Sequence, residues 1–324
     1  MKNNANENNK PHIAFFGTPE FAEDILETLI ASGYTPNVVV TKPDVPAGRK
    51  KILTPSPVKV LAEKHGIPVL TPKKLDETFL DHTRVRSIDL TLVAAYGKIL
   101  PKSLLDIPRY GSINVHASLL PLYRGASPIQ HALLDGRTET GITLMRMEPG
   151  LDTGPIIAAK KLAIDLDDTT ETLTPRLAAL GGKLLARTLP DWLAGNITPE
   201  KQNDAHATHC SMIRKEDGLI DWSKPAEKVY NAYRALTPWP GVFSFWNDGQ
   251  KSVRVKFISM RPSKRSFQNE APGTILFENK KTIFVLCGNG EAIEVKTLQI
   301  EGKSPAPAAA IIAGYPQLHK TKLR

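Results

Sequence analysis

The chain is 324 residues long, 41% hydrophobic and 23% charged, which excludes a low-complexity or disordered protein, and no apolar run reaches the roughly 20 residues of a membrane helix. Its two cysteines, Cys210 and Cys287, exclude a disulfide framework and make the cytoplasm the default compartment. The net charge of +9 is uneven: residues 1–210 hold 24 Lys and Arg against 23 Asp and Glu, and residues 211–324 hold 18 against 10.

The length predicts two domains. Residues 1–10 are polar, lack an apolar signal core and predict a disordered tail. "HIAFFGT" (12–18) is a short apolar run ended by Gly-Thr-Pro and predicts a buried strand. The next fifteen residues open with Pro19, place Phe21, Ile25, Leu26 and Leu29 at helical spacing, and stop at Gly33. "NVVVTKP" predicts a strand, "PVKVLAEKHG" a helix, and "PVLTP", "LTLVAAYG" and "SINVHAS" further strands. Strand–helix alternation with continuous apolar strands predicts an α/β domain over 11–195, a Rossmann-like, mostly parallel sheet with helices on both faces. "ETGITLMRME" and "GPIIAAKKLAI" add two strands of antiparallel character. A long helix over 168–195 closes the domain, with Pro175 and Gly181-Gly182 as candidate kinks.

Residues 196–213 are polar and aperiodic, and predict a linker. Within 214–324, "KPAEKVYNAYRALTPWPG" predicts one helix ended by Pro238. The following run predicts a hairpin turning at Asn247-Asp248-Gly249. The remaining short strands with polar turns predict a small C-terminal β-barrel. Its charge excess points to an acidic polymer as partner, or to a solubilising surface.

Three motifs carry little chemistry by themselves. "FFGTPEF" occupies the place of a dinucleotide-binding turn but has one glycine, with no G-x-G-x-x-G and no G-K-[ST], which disfavours nucleotide phosphate binding. The loop 41–59 carries Lys42, Arg49, Lys50 and Lys51 among prolines. These cations suit phosphates, and equally suit a solvated loop. His206, His209 and Cys210 lie in the expected linker without a fourth ligand, so no metal site is expected.

"SINVHASLLPLYRGASPIQ" is different. Asn114 and His116 stand two apart on a strand, so both project from one face, while Val115 and Ala117 face the packed side. At the carboxyl end of a parallel strand that face opens on the crevice where such sheets bind ligands. "SLLP" adds a pinned turn able to hold a flat polar heterocycle by main-chain groups. "EPGLDTGP" puts Asp152 between two glycines, where it can orient His116 and fix its tautomer. An Asn amide suits an oxygen gaining negative charge, and a His–Asp pair moves protons near neutral pH. No Ser or Cys nucleophile adjoins the histidine in sequence. The trio therefore suits direct attack of an amine on a bound carbonyl donor.

With "GLDTG", "KPDVPAGRKK" and "LVAAYGKILP", this stretch resembles the folate-dependent formyltransferases, and the resemblance runs over the whole chain. It implies 10-formyltetrahydrofolate as donor. The "PAGRKK" loop and the basic C-terminal domain imply the branch of the family that acts on methionyl initiator tRNA. Asn114 would hold the developing oxyanion, His116 would manage the proton of the attacking amine, and Asp152 would support His116. Ser118, Leu119, Leu120 and Pro121 would contact folate, with the backbone around Val93, Ala95, Tyr96 and Gly97 as the pterin wall. Arg49, Lys50 and Lys51 would reach the tRNA acceptor end, and the C-terminal barrel would track its backbone. The competing readings are formyl transfer to a sugar-nucleotide amine, hydrolysis of the same donor, and a non-catalytic RNA-binding protein. No membrane contact is expected, and a monomer is the default.

Overall fold

The computed structural model describes residues 11–48 and 51–324; the expected tail 1–10 lies outside them. The described chain divides into two compact units. The first comprises residues up to Pro128, Glu139–Ala163 and Leu173–Ser211, and the second comprises Ile129–Thr138, Ile164–Thr172 and Met212–Arg324.

The first unit is built on a seven-stranded sheet. In chain order its elements are β1 (Ile13–Gly17), α1 (Glu20–Ala31), β2 (Val38–Val40), the short hairpin β3 (Val45–Ala47) and β4 (Ile52–Thr54), α2 (Pro57–Lys64) and β5 (Val69–Leu70). Two single-turn helices, α3 (Glu77–Leu80) and α4 (Thr83–Arg86), precede β6 (Leu90–Ala94), which α5 (Lys102–Leu105) separates from β7 (Ser112–His116). After β8 (Arg124–Gly125) the chain forms α6 (Pro128–Leu134), which from Ile129 on belongs to the second unit, then β9 (Glu139–Arg146), β10 (Ile156–Ala163), α7 (Thr170–Leu193), which belongs to the first unit from Leu173 on, and β11 (His209–Cys210).

The sheet order is β10-β9-β7-β6-β1-β2-β5. The ladders from β5 through β7 are parallel, and β9 and β10 pair antiparallel. Every residue of β1 and β6 is buried, as strands covered on both faces require. One face packs Ala14, Phe16, Val38, Val40 and Val93 with Phe79 of α3, Val85 of α4 and Leu104 of α5. On the other face α7 approaches closely. A Cβ on Gly181 would stand 3.0 Å from Val115, and one on Gly182 would stand 2.6 Å from Thr28 of α1. The glycine pair expected as a kink thus serves close packing. Strand order reverses between β1 and β6, which places the ligand crevice of such a sheet at their carboxyl ends, beside that of β7.

The expected linker is a correction. Glu200 exchanges two backbone hydrogen bonds with Ile156 (2.7 and 2.8 Å), β11 pairs with β8, and residues through Ser211 belong to the first unit. Aperiodic polarity marks the lack of a long amphipathic element there, yet the segment still packs and supplies the short strand β11.

The second unit holds α8 (Ala226–Leu236), β12 (Val242–Asn247), the long bent β13 (Ser252–Ser266), β14 (Ile275–Glu278), β15 (Thr282–Leu286), β16 (Glu291–Ile300), β17 (Ala306–Pro307) and α9 (Ala308–Gly314). The antiparallel order is β12-β13-β16-β15-β14, with β17 on β16. The expected hairpin turn forms where Asp248 Oδ1 accepts from the amides of Gln250 and Lys251, both at 2.9 Å. Residues 164–172 join this unit through α8. The Arg234 guanidinium donates to the carbonyls of Asp165 and Asp168, and Tyr230 Oη donates to Asp167. The chain's last five residues bridge the two outer strands. Arg324 exchanges two backbone bonds with Phe245 of β12 (2.8 and 2.9 Å), while Thr321 and Leu323 accept and donate on the β14 side, at Ile275 and Gly273 (both 2.9 Å). The barrel is completed by a segment that carries no strand pattern of its own.

Deleting residues 320–324 should therefore expose two strand edges and the pocket of Leu323, which is 3% exposed. At roughly 1 kcal/mol for each of these four ladder bonds and about 2 kcal/mol for the leucine, the cost is about 6 kcal/mol. Calorimetry should show a lowered transition, and size-exclusion chromatography should show self-association through the bared edges.

Candidate active site

The site lies at the carboxyl end of β7 in the first unit. Asn114 faces Val93 of β6 and Met145 of β9 in the ladders, and His116 faces Thr143. The structure brings the three expected residues together. Asp152 Oδ2 lies 3.6 Å from His116 Nδ1, and Asn114 Nδ2 donates to Asp152 Oδ1 at 3.4 Å. The side chains of His116 and Asp152 are 6% and 12% exposed, so their charges are only weakly screened.

The tautomer of His116 has a different cause from the one expected. Nε2 lies 2.9 Å from the carbonyl oxygen of Tyr123. A carbonyl only accepts, so Nε2 carries the proton and donates it. In the neutral ring Nδ1 is then the basic nitrogen, and it is the one beside Asp152. Tyr123 thus fixes the tautomer, and Asp152 stands where it stabilises a proton arriving at Nδ1. The carboxylate is itself held by the Gly125 amide, which donates to Oδ2 at 2.8 Å.

Two residues here adopt backbone conformations that side chains disfavour: Tyr123 at φ 60° and Asp152 at φ 54°. Such strain persists only where the surroundings over-determine it. Tyr123 is fixed by its amide, which donates to Thr208 Oγ1 at 2.8 Å, and by the β8–β11 pairing that follows it. Gly125 must be glycine, since a Cβ there would lie 2.2 Å from the Cys210 carbonyl.

The "SLLP" turn is pinned from within. Ser118 is fully buried and its hydroxyl donates to the Leu122 carbonyl at 2.6 Å. Thr143 Oγ1 donates to the Ser118 carbonyl and accepts from the Leu120 amide, at 2.7 and 3.0 Å. The Leu120-Pro121 bond is cis. Leu119 packs over Gly141. At the end of β6, Val93 and Tyr96 are buried, while Ala95 (φ 43°) and Gly97 (φ 73°) are exposed in a left-handed turn. Burial pushes the Tyr96 phenol up to about 12, so it stays neutral.

Of the expected phosphate contacts, Lys42 lies against the β6 turn, its Nζ 2.4 Å from where a Gly97 Cβ would stand. Lys51 is exposed beside β4, and Arg49 and Lys50 lie outside the described residues. His206 and His209 are exposed and Cys210 is buried. Among the described residues no group of three or more His, Cys, Asp or Glu is arranged to hold a metal.

Sequence reasoning missed the carbonyl of Tyr123, Thr143, Arg124 and Gln202. Arg124, 4% exposed, donates through Nε and Nη2 to Gln202 Oε1 at 3.0 and 2.8 Å, and through Nη2 to the exposed Asp204 at 2.7 Å. That hydrogen bond holds the Asp204 carboxyl below its usual range. Gln202 in turn donates to the carbonyls of Asp152 and Gly154, at 2.9 and 2.7 Å. The one available signal was an arginine set between a strand-end turn and a glycine; nothing in the sequence marks Gln202.

The formyl transferase family profile matches residues 11–189 and that family's C-terminal domain profile matches 212–316. The chain belongs to the formyl transferase family. A methionyl-tRNA formyltransferase of Citrifermentans bemidjiense is 47% identical over 305 residues, 94% of this chain and 93% of that one. The Bacillus subtilis protein of the same name is 42% identical over 303 residues, 93% of this chain and 94% of its own. Among solved structures, an N-formyltransferase of Helicobacter canadensis, in complex with folinic acid and dTDP-3-aminofucose, superposes with a TM-score of 0.65 at 18% identity, covering 88% of this chain and 99% of its own. That likeness concerns the fold.

Burial raises the pKa of the Cys210 thiol and pushes that of Cys287 up to about 12, in both cases because a thiolate is poorly solvated there. Raised values leave both sulfurs protonated at pH 8. A disulfide-exchange reagent such as DTNB should then titrate no thiol in the native protein at that pH and both after unfolding; rapid native modification would contradict the buried setting.

Proposed function

We propose that this chain transfers the formyl group of 10-formyltetrahydrofolate to the amino group of methionine esterified to initiator tRNA. The observation that carries the reading is the convergence of Asn114, His116 and Asp152 at the sheet's carboxyl edge, in a chain so similar along its length to methionyl-tRNA formyltransferases. The free amine attacks the formyl carbon and forms the new C–N bond. The carbonyl oxygen becomes an oxyanion, which the Asn114 amide receives. The ammonium that results gives a proton to His116 Nδ1, the nitrogen left basic by the Tyr123 carbonyl. Asp152 stabilises the imidazolium until collapse breaks the bond to the folate nitrogen, which takes the proton back. No covalent enzyme intermediate is needed.

The donor's heterocycle lies along the main chain of Val93, Ala95, Tyr96 and Gly97, with Ser118, Leu119, Leu120 and Pro121 opposite. Because the Ser118 hydroxyl is already committed to Leu122, this turn meets folate through backbone and the apolar faces of its leucines. Lys42, Arg49, Lys50 and Lys51 receive the acceptor end of the tRNA. The basic residues of 211–324 follow its backbone. A monomer working in the cytoplasm belongs to the same reading; no described helix is long and apolar enough to cross a membrane.

Radiolabelled formyl followed from 10-formyltetrahydrofolate onto methionyl initiator tRNA, uncharged tRNA and an amino-sugar nucleotide should appear on the charged tRNA alone. Label on the sugar, or free formate with every acceptor, would overturn the substrate. His116→Ala and Asp152→Asn should each lower kcat by about a thousandfold or more while tRNA affinity measured by filter binding stays within a few fold.

Arg49→Ala should weaken the productive tRNA complex, raising KM for charged tRNA by about tenfold with kcat nearly kept. In the unaltered protein the logarithm of tRNA affinity should fall linearly with the logarithm of salt concentration, because counterions return to the phosphates. A flat salt profile would remove the role of the basic unit.

A further inference from the structure

We infer that Gln202 is a positioning residue for the reaction: its side-chain amide clamps the strained Asp152 loop so that the carboxylate stays beside His116. The inference rests on the function proposed above and adds a residue that no part of the catalytic trio requires. Gln202 is 5% exposed, and its amide has two donors and an oxygen with two acceptor positions. All four are used. The two N–H groups meet the carbonyls of Asp152 and Gly154, and the oxygen meets Nε and Nη2 of Arg124. The arrangement also fixes the orientation of the amide, since a flip would set oxygen against two carbonyls and NH2 against a guanidinium.

The clamp acts where the backbone needs it. Asp152 sits at φ 54°, a conformation that a non-glycine residue leaves unless held. Gly154 lies where a Cβ would stand 1.8 Å from the Arg146 carbonyl, so the loop presses against β9 on one side and is tied to Gln202 on the other. Gln202 is anchored on both flanks, by the Glu200–Ile156 pair and by β11 on β8. The dipeptide Arg124-Gly125 thereby reaches Asp152 twice. Its Gly125 amide binds the carboxylate directly, and its Arg124 side chain binds the loop through Gln202. Loss of the clamp frees the carboxylate to drift from Nδ1, and a displacement of about 1 Å at a reacting geometry costs on the order of a hundredfold in rate.

Gln202→Glu separates the two halves of the clamp. The carboxylate still accepts from Arg124, which keeps that buried cation paired, but it cannot donate to the Asp152 and Gly154 carbonyls. The full-length variant should lose kcat by about ten- to a hundredfold, with KM for 10-formyltetrahydrofolate and for charged tRNA within twofold. Amide exchange measured by mass spectrometry over residues 150–154 should speed up by at least tenfold, with peptides of β1 and β6 unchanged. Gln202→Met, which keeps length without charge, should show the same pattern if the Glu variant folds poorly. Unchanged kcat, or a rise in KM with kcat kept, would overturn the inference, as would unchanged exchange in the loop. If the unaltered protein forms no formylmethionyl-tRNA, the function reading fails by itself, and the exchange measurement still judges the clamp.

Discussion

A buried imidazole can serve as a base only if its surroundings decide which nitrogen keeps the proton. Here the deciding atom is the Tyr123 carbonyl oxygen, 2.9 Å from His116 Nε2. Much of the first unit is arranged to keep that oxygen in place. It is delivered by a residue in the left-handed region, which in turn requires Thr208 on the Tyr123 amide and the β8–β11 pairing behind it. The same oxygen accepts from Cys210 Sγ at 3.3 Å, so a buried thiol and a buried imidazole share one acceptor. With Nε2 committed, Asp152 need not hold the ring; its carboxylate, 3.6 Å from Nδ1, stands where the proposed reaction would place a charge.

The sheet supplies the setting for this chemistry. Parallel strands bring the ends of β1, β6 and β7 to one edge, and reversal of strand order leaves a crevice there. Of the eight left-handed non-glycine residues among those described, Ala95, Tyr123 and Asp152 fall in loops of that edge; Lys51 lies in the β3–β4 hairpin, and Asn279, Lys280, Asn289 and Lys320 lie in turns of the second unit. At this edge the left-handed residues stand where the backbone turns at the strand ends and toward His116. They are absent from the strands that carry these loops, whose buried residues pack without exception on β1 and β6.

The parts of this architecture that rest on periodicity were readable in the amino-acid string. Alternation on β7 put Asn114 and His116 on one face, and glycines around Asp152 marked a tight loop; the structure brings all three together. The parts that rest on main-chain atoms were not. The Tyr123 carbonyl has no residue signature, because every residue offers one. Gln202 sits in a polar aperiodic stretch, and a lack of periodicity argues against an amphipathic element without arguing against packing. Closure of the second unit escaped for the same reason, since residues 320–324 act through backbone bonds to Phe245, Gly273 and Ile275. Arg124 was visible but without a partner until Gln202 came beside it.

The long reach of the β8–β11 pairing affects how the protein is made. Asn114, His116 and Asp152 leave the ribosome well before Gln202, Thr208 and Cys210. A nascent chain exposed only to about residue 195 already carries the whole trio and the sheet beneath it, yet lacks the residues that brace the Tyr123 backbone and clamp the Asp152 loop. Assembly of the site is therefore postponed until the returning segment lays itself against Arg124 and Gly125. During that interval the chain can complete its core without presenting a finished active centre.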